Sequence, residues 1–217
     1  MEFLATIADW FGRGGFAMYL LLLASIGAVA IILERARYFH AQASSARAFI
    51  AQLRMDMEGT RTADLAVQYS KGGRLLDRLV AAGFRAAARH RSVELAVEGE
   101  AQIEAAKLKK GLPLLGCLVT LAPILGLMGT VLGMIESFSV FNLQSGAPMA
   151  ITGGVGEALV ATVTGLGVAT VALLGHSYFG YRVDAIVTDM EQVGTVLLDA
   201  LSDPERKGKR GESHEVA

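Results

Sequence analysis

The chain has 217 residues, is 53% hydrophobic and 19% charged, and carries 20 basic against 21 acidic side chains for a net charge of −1. Its mean hydropathy of +0.44 is too high for an ordinary soluble domain, while its charge content is too high for a bundle wholly buried in lipid. Near-neutrality gives no argument for nucleic acid, and the single cysteine, Cys117, excludes a disulfide framework within the chain and reads as a small packing residue.

Residues 1–15 (MEFLATIADWFGRGG) carry Glu2 and Asp9 where a secretory signal would be basic, and are read as a periplasmic N-terminal segment. Phe3, Leu4, Ile7, Trp10 and Phe11 could lie in the outer interface as a short helix. Residues 16–33 form the first predicted transmembrane helix, uncharged and closed by Glu34, Arg35 and Arg37, with Tyr38 and Phe39 as interface anchors.

Residues 34–110 are expected to form a cytoplasmic helical domain. Ala, Leu, Arg, Glu and Gln dominate it and proline is absent. Leu75, Leu76, Leu79, Val80 and Phe84 make one apolar stripe at three- and four-residue steps, and Gly59, Gly72 and Gly73 mark breaks. Leu95, Ala101, Ala105 and Leu108 suggest a helix that starts after Ser92 as N-cap and runs straight into the next span.

Residues 111–138 are the second transmembrane helix. Pro123 would bend it, and Gly126, Gly129 and Gly133 offer a small-residue surface for helix packing. Glu136, near its outer end, is read as a mouth residue at most. A short periplasmic loop, 139–152, contains no lysine or arginine. Residues 153–181 form the third transmembrane helix, in which Glu157 is the only formally charged side chain. Residues 182–203 continue it as a cytoplasmic amphipathic helix, with Ile186, Met190, Val193, Leu197, Leu198 and Leu201 on one face. The polar residues 204–217 are read as a disordered tail. The fold class is therefore an all-α integral membrane protein with three spans and helices extending into a cytoplasmic helical domain. Fourteen of the basic residues fall between Glu34 and Lys110 and five from Arg182 onward. The positive-inside rule thus sends both regions to the cytoplasm and puts the N-terminus and the short second loop outside.

An ionised carboxylate at the centre of a membrane helix costs about 2.5–3.5 kcal/mol on insertion scales, so an intramembrane acid marks an ion or proton site by default. Counted from a loop centre near Ser145, Thr130, Glu157 and Thr162 fall within one band about 7–8 Å tall. A carboxylate and two hydroxyls at one depth would make a polar track through apolar walls. A threonine in a membrane helix can instead bond its own preceding carbonyl, and a buried glutamate can serve packing alone. Thr164 lies on the Glu157 face as a further pore-lining candidate. His176 reads as interfacial rather than as a relay or metal ligand. No P-loop, zinc spacing or nucleophile elbow is present; no cofactor, metal or enzymatic activity is expected.

The run Ala122-Pro123-Ile124-Leu125-Gly126-Leu127-Met128-Gly129-Thr130-Val131-Leu132-Gly133-Met134-Ile135 resembles the second-span signature of the ExbB/TolQ proton-channel subunits, which are related to flagellar MotA. Glu157-Ala158-Leu159-Val160-Ala161-Thr162, followed by Gly165 and Leu166, resembles their third-span signature. By position Thr130, Glu157 and Thr162 match the polar residues of that family's ion pathway. The chain departs from the common pattern at Val171, where many relatives have proline, and at His176-Ser177, where a Tyr-Asn pair is usual. The resemblance implies an inner-membrane homo-pentamer in contact with membrane lipid. Such a ring surrounds two copies of an ExbD/TolR-like single-span subunit and uses the proton motive force, with sodium as the other candidate ion, to drive a TonB-like partner. A TolQ-like subunit for envelope integrity, a MotA-like stator and a membrane scaffold without ion flux are the competing readings; three spans are visible, whereas the stator branch has four.

Overall fold

A computed structural model describes residues 15–42, 45–58, 60–143 and 148–202. The expected interfacial helix of the first residues and the tail 204–217 lie outside them. Seven helices follow one another among the described residues: α1 Gly15–Ala41, α2 Ala46–Met57, α3 Thr62–Ser70, α4 Leu75–Ala88, α5 Val93–Lys109, α6 Leu112–Leu143 and α7 Pro148–Ser202. No strand occurs among these residues. Three helical stretches are long and apolar enough to cross a membrane, beginning at Phe16, Val93 and Gly153. Only 22%, 17% and 28% of their most apolar windows are buried. Exposed apolar surface on that scale requires lipid or neighbouring copies around it. The protein is an all-α, multi-pass membrane protein.

The chain divides into two compact units, residues 1–37 with 111–180 and residues 38–110 with 181–217. In the first, α1, α6 and α7 meet in a core of Met18, Leu21, Ala122, Ala161, Val168 and Ala169, flanked by Ala24, Leu125 and Val160. Alanine dominates this list because the helices lie too close for larger side chains.

In the second unit the stripe read from sequence is the core: Leu75, Leu76, Leu79, Val80 and Phe84 are all buried. Val97 and Leu108 of α5 and Val183, Met190, Val193 and Leu197 of α7 are buried in the same unit. Gly83 lies at that contact, where a methyl would come 2.5 Å from Leu197 Cδ2 and 3.0 Å from Val97 Cγ2, so that Leu197 would have to shift. Tyr69 ties α3 to α2 by donating to Asp56 at 2.7 Å. Burial and the Asp56 carboxylate together push its phenol well above the usual tyrosine range.

Five expectations are corrected. Ser92 does cap α5, accepting from the Leu95 amide at 3.3 Å, but α5 does not run on into the second span. It ends at Lys109, and Gly111 adopts a left-handed φ of +81° before α6 begins. Side chains resist that backbone, and Pro113 suits the opening turn of a helix, where its missing N–H has no intrahelical partner. Leu95 is exposed, and the buried face of α5 runs through Val97, Glu104 and Leu108. Phe39 is buried rather than an interface anchor, forming an edge-on pair with Tyr38 at 6.0 Å. Cys117 is exposed rather than packed. The loop expected over 139–152 is shorter: α6 extends to Leu143, and α7 opens on Pro148, a residue favoured at a first helical position.

Candidate ion-pathway site

The site is built where α6 and α7 pack through their smallest residues. A methyl on Gly126 would sit 3.0 Å from the Ala161 carbonyl oxygen and 3.1 Å from Thr162 Cα. One on Gly165 would sit 2.6 Å from the Ala122 carbonyl oxygen, so this position excludes any side chain. Gly129 meets Ala161 of α7 and Ala17 of α1, while Gly133 meets Ala158 and the Gly154 carbonyl. At the loop end of this seam Ser137 is buried and donates to the Gly133 carbonyl at 2.7 Å.

These contacts fix the register. Gly126 stands opposite Thr162, Gly129 opposite Ala161 and Gly133 opposite Ala158, which pairs the two helices about position 145. Thr130 therefore lies level with Val160, between Glu157 and Thr162 along α7. The hydroxyls have different partners. Thr162 Oγ1 crosses the interface and donates to the Gly126 carbonyl at 3.2 Å. Thr130 Oγ1 donates within its own helix to the Leu127 carbonyl at 2.6 Å, leaving its lone pairs to accept. No hydrogen bond joins Thr130 to Thr162 among the described residues. Glu157 stands in α7, and its side chain lies outside the described part.

Thr164 donates to the Val160 carbonyl at 2.8 Å. It lines a separate groove of about 310 Å³ with Ser25, Ala28 and Val29 of α1 and Gly167, Val168 and Val171 of α7. Glu136 is exposed. His176 is half-buried, with Nδ1 3.1 Å from the Leu112 carbonyl oxygen of α6. No cluster of metal-ligating side chains exists among the described residues.

A seam with one cross-helix hydroxyl, in a membrane bundle whose second and third spans carry a single acid between Leu112 and Ile135 and between Gly153 and Tyr181, suits a helix pair that handles a cation or a proton. A family model for the MotA/TolQ/ExbB proton channel family matches residues 72–192. The chain belongs to that family. The matched segment takes in α4, α5, α6 and α7 as far as Gln192, and so includes Thr130, Glu157 and Thr162. Among MotA/TolQ/ExbB proteins, the chain is 35% identical over 181 residues to biopolymer transport protein ExbB-like 1 of Synechocystis sp., covering 77% of this chain and 68% of that one. It is 26% identical over 195 residues to the biopolymer transport protein ExbB homolog of Methanothermobacter thermautotrophicus, covering 89% and 70%. It is 31% identical over 98 residues to the Tol-Pal system protein TolQ of Pseudomonas aeruginosa, covering 45% and 41%.

Sequence reasoning missed one network in the second unit. Glu104 is fully buried and accepts from Arg78 through both oxygens, at 2.9 and 2.7 Å, and from Lys107 at 2.7 Å. Burial pushes the Glu104 carboxyl up, but the hydrogen bonds and charges of Arg78 and Lys107 outweigh it and hold the group below the usual carboxylate range. The available signal was its spacing: Glu104 falls seven residues after Val97 and four before Leu108, on the buried face.

Proposed function

We propose that this chain is the ring-forming subunit of an ExbB-type complex in the bacterial inner membrane, with its N-terminus periplasmic and its C-terminus cytoplasmic. The complex passes protons down their gradient and uses the energy to work a TonB-like periplasmic partner for transport across the outer membrane. Five copies surround two single-span ExbD/TolR-like helices that supply an ionisable group. Thr130, Glu157 and Thr162 line the route. The observation that carries this reading is the α6–α7 seam within the family-matched segment, with the Thr162 hydroxyl bonded to the Gly126 carbonyl. Moving one charge through 100 mV supplies about 2.3 kcal/mol, enough for a modest conformational step per proton.

A TolQ-type role in envelope integrity is the second reading, favoured by the 31% identity over 98 residues to the TolQ relative. Deleting the chain should abolish energy-dependent uptake through outer-membrane receptors, and native mass spectrometry should find five copies with two single-span subunits. Envelope leakage with intact uptake would favour the TolQ-type role. A clean monomer across several detergents and lipids would contradict the ring.

A further inference from the structure

The α6–α7 seam ends, away from the loop, at an imidazole that the ion pathway described above does not use. Nδ1 of His176 lies 3.1 Å from the Leu112 carbonyl oxygen. A carbonyl only accepts, so Nδ1 must carry a hydrogen, and in the neutral ring Nε2 is left with a bare lone pair. The ring lies against Gly116, where a methyl would come 3.4 Å from Cε1. The adjacent Gly175 packs as closely on α1, where a methyl would stand 2.8 Å from Ile32 Cγ1. The imidazole thus lies against α6 through Leu112 and Gly116, and its Nε2 has no hydrogen-bond partner among the described residues.

The surrounding charges are few. On α1, Glu34 and Arg35 are bonded to each other at 2.7 Å, and Arg35 lies beside Gly111. From Leu112 to Ile135, α6 offers no titratable group except Cys117, whereas α7 carries Glu157 toward the loop end, the exposed Tyr178 and Tyr181, and Arg182 six residues beyond His176. Among the side chains of this unit, His176 is the only imidazole. It also lies on the helical face of α7 that carries Ala158, Gly165 and Ala172, and so at the end of the seam itself.

We infer that His176 is the proton-accepting group at the cytoplasmic end of the α6–α7 seam. Nε2 takes up a proton, giving an imidazolium that keeps Nδ1–H on the Leu112 carbonyl, and then returns that proton to cytoplasmic water. This rests on the proton reading above and assigns a residue to its exit.

The test uses the full-length chain purified with its co-expressed single-span partner, in liposomes holding a trapped pH dye. The pH on the side bearing the C-terminus is varied from about 5.5 to about 8, bracketing an ordinary imidazole. Wild-type flux should fall as that side becomes acidic enough to keep His176 charged. His176→Asn sets an amide nitrogen where Nδ1 was, preserving the tie to Leu112 without a titratable group. It should assemble normally, pass protons about a hundredfold more slowly and lose the pH step. Unchanged flux and pH profile in His176→Asn would overturn the relay and leave the proton reading standing. Absence of flux in wild type would overturn the proton reading and the relay with it. A second measurement needs no change at the site: nitrogen-15 NMR of the chain carrying His40→Gln, His90→Gln and His214→Gln should find the Nδ1–H tautomer at neutral pH. The Nε2–H tautomer would overturn the assignment.

Discussion

The hydroxyl of Thr162 reaches across the helix interface and donates to the backbone carbonyl of Gly126 at 3.2 Å. A glycine on α6 makes this possible, because a methyl there would press on the Thr162 backbone. Thr162→Val keeps the shape and removes the bond, and should destabilise the α6–α7 pair by about 0.6 kcal/mol, the average for such bonds in membrane bundles, and by no more than about 1.7 kcal/mol. Thr162→Ser should recover most of the loss. Thermal unfolding in detergent, read beside proton-driven uptake, checks both.

Close packing makes a sharper prediction for the glycines. Gly165→Ala drives a methyl into the Ala122 carbonyl, a backbone atom that cannot swing aside, and should cost about 1–3 kcal/mol as overpacking. Gly167→Ala meets nothing within 4 Å in its own chain and should leave monomer packing unchanged. Cross-linking and melting of the two variants separate the cases, and an oligomer lost only with Gly167→Ala would report a neighbouring copy at that face.

In the second unit, Arg78→Met would leave the fully buried Glu104 carboxylate with Lys107 alone. It should destabilise by about 1–3 kcal/mol, since an under-satisfied buried acceptor costs that much. Lys107→Met should cost under about 1 kcal/mol, because Lys107 is half exposed and screened by solvent. The Glu104 carboxyl is held low in the folded chain, so its stabilisation is fully present above the ordinary carboxylate pKa and is lost as pH falls through the lower folded value. Glu104→Gln should flatten that acid limb in a melting-temperature profile. Asp189 behaves oppositely: burial raises it and Arg182 only partly offsets the rise, so Asp189→Asn should be neutral or stabilising at pH 7.

Much of this arrangement was legible in residue type and spacing. The apolar runs gave the three spans, and the glycines of α6 gave the surface that meets α7. Two features were not legible, for physical reasons. The α5 stripe was read correctly at Leu108 but not at Leu95, because alanines fill several faces of that helix and a buried glutamate stands where an apolar residue was sought; only its tertiary partners, Arg78 and Lys107, reveal why it is tolerated. Similarly, the break at Gly111 depends on a left-handed backbone that glycine permits but does not require. At the site, spacing matched the depths of Thr130 and Thr162, whereas their hydrogen-bond partners followed from helix rotation, which spacing alone leaves open.

Thr130 bonds its own helix through Leu127, so a role in passage must come from its oxygen lone pairs. Thr130→Val should therefore preserve abundance and oligomer size while lowering uptake. Disappearance of this variant from the membrane would make Thr130 a packing residue.

The central claim is that Glu157 is required as an ionisable group. Glu157→Gln keeps size and hydrogen-bonding capacity and removes the titratable proton. The decisive measurement is proton-motive-force-dependent activity in cells, paired with co-purification of the single-span partner from the same strain. The account predicts normal assembly with the partner and loss of coupled activity. Full activity with glutamine at this position would contradict it.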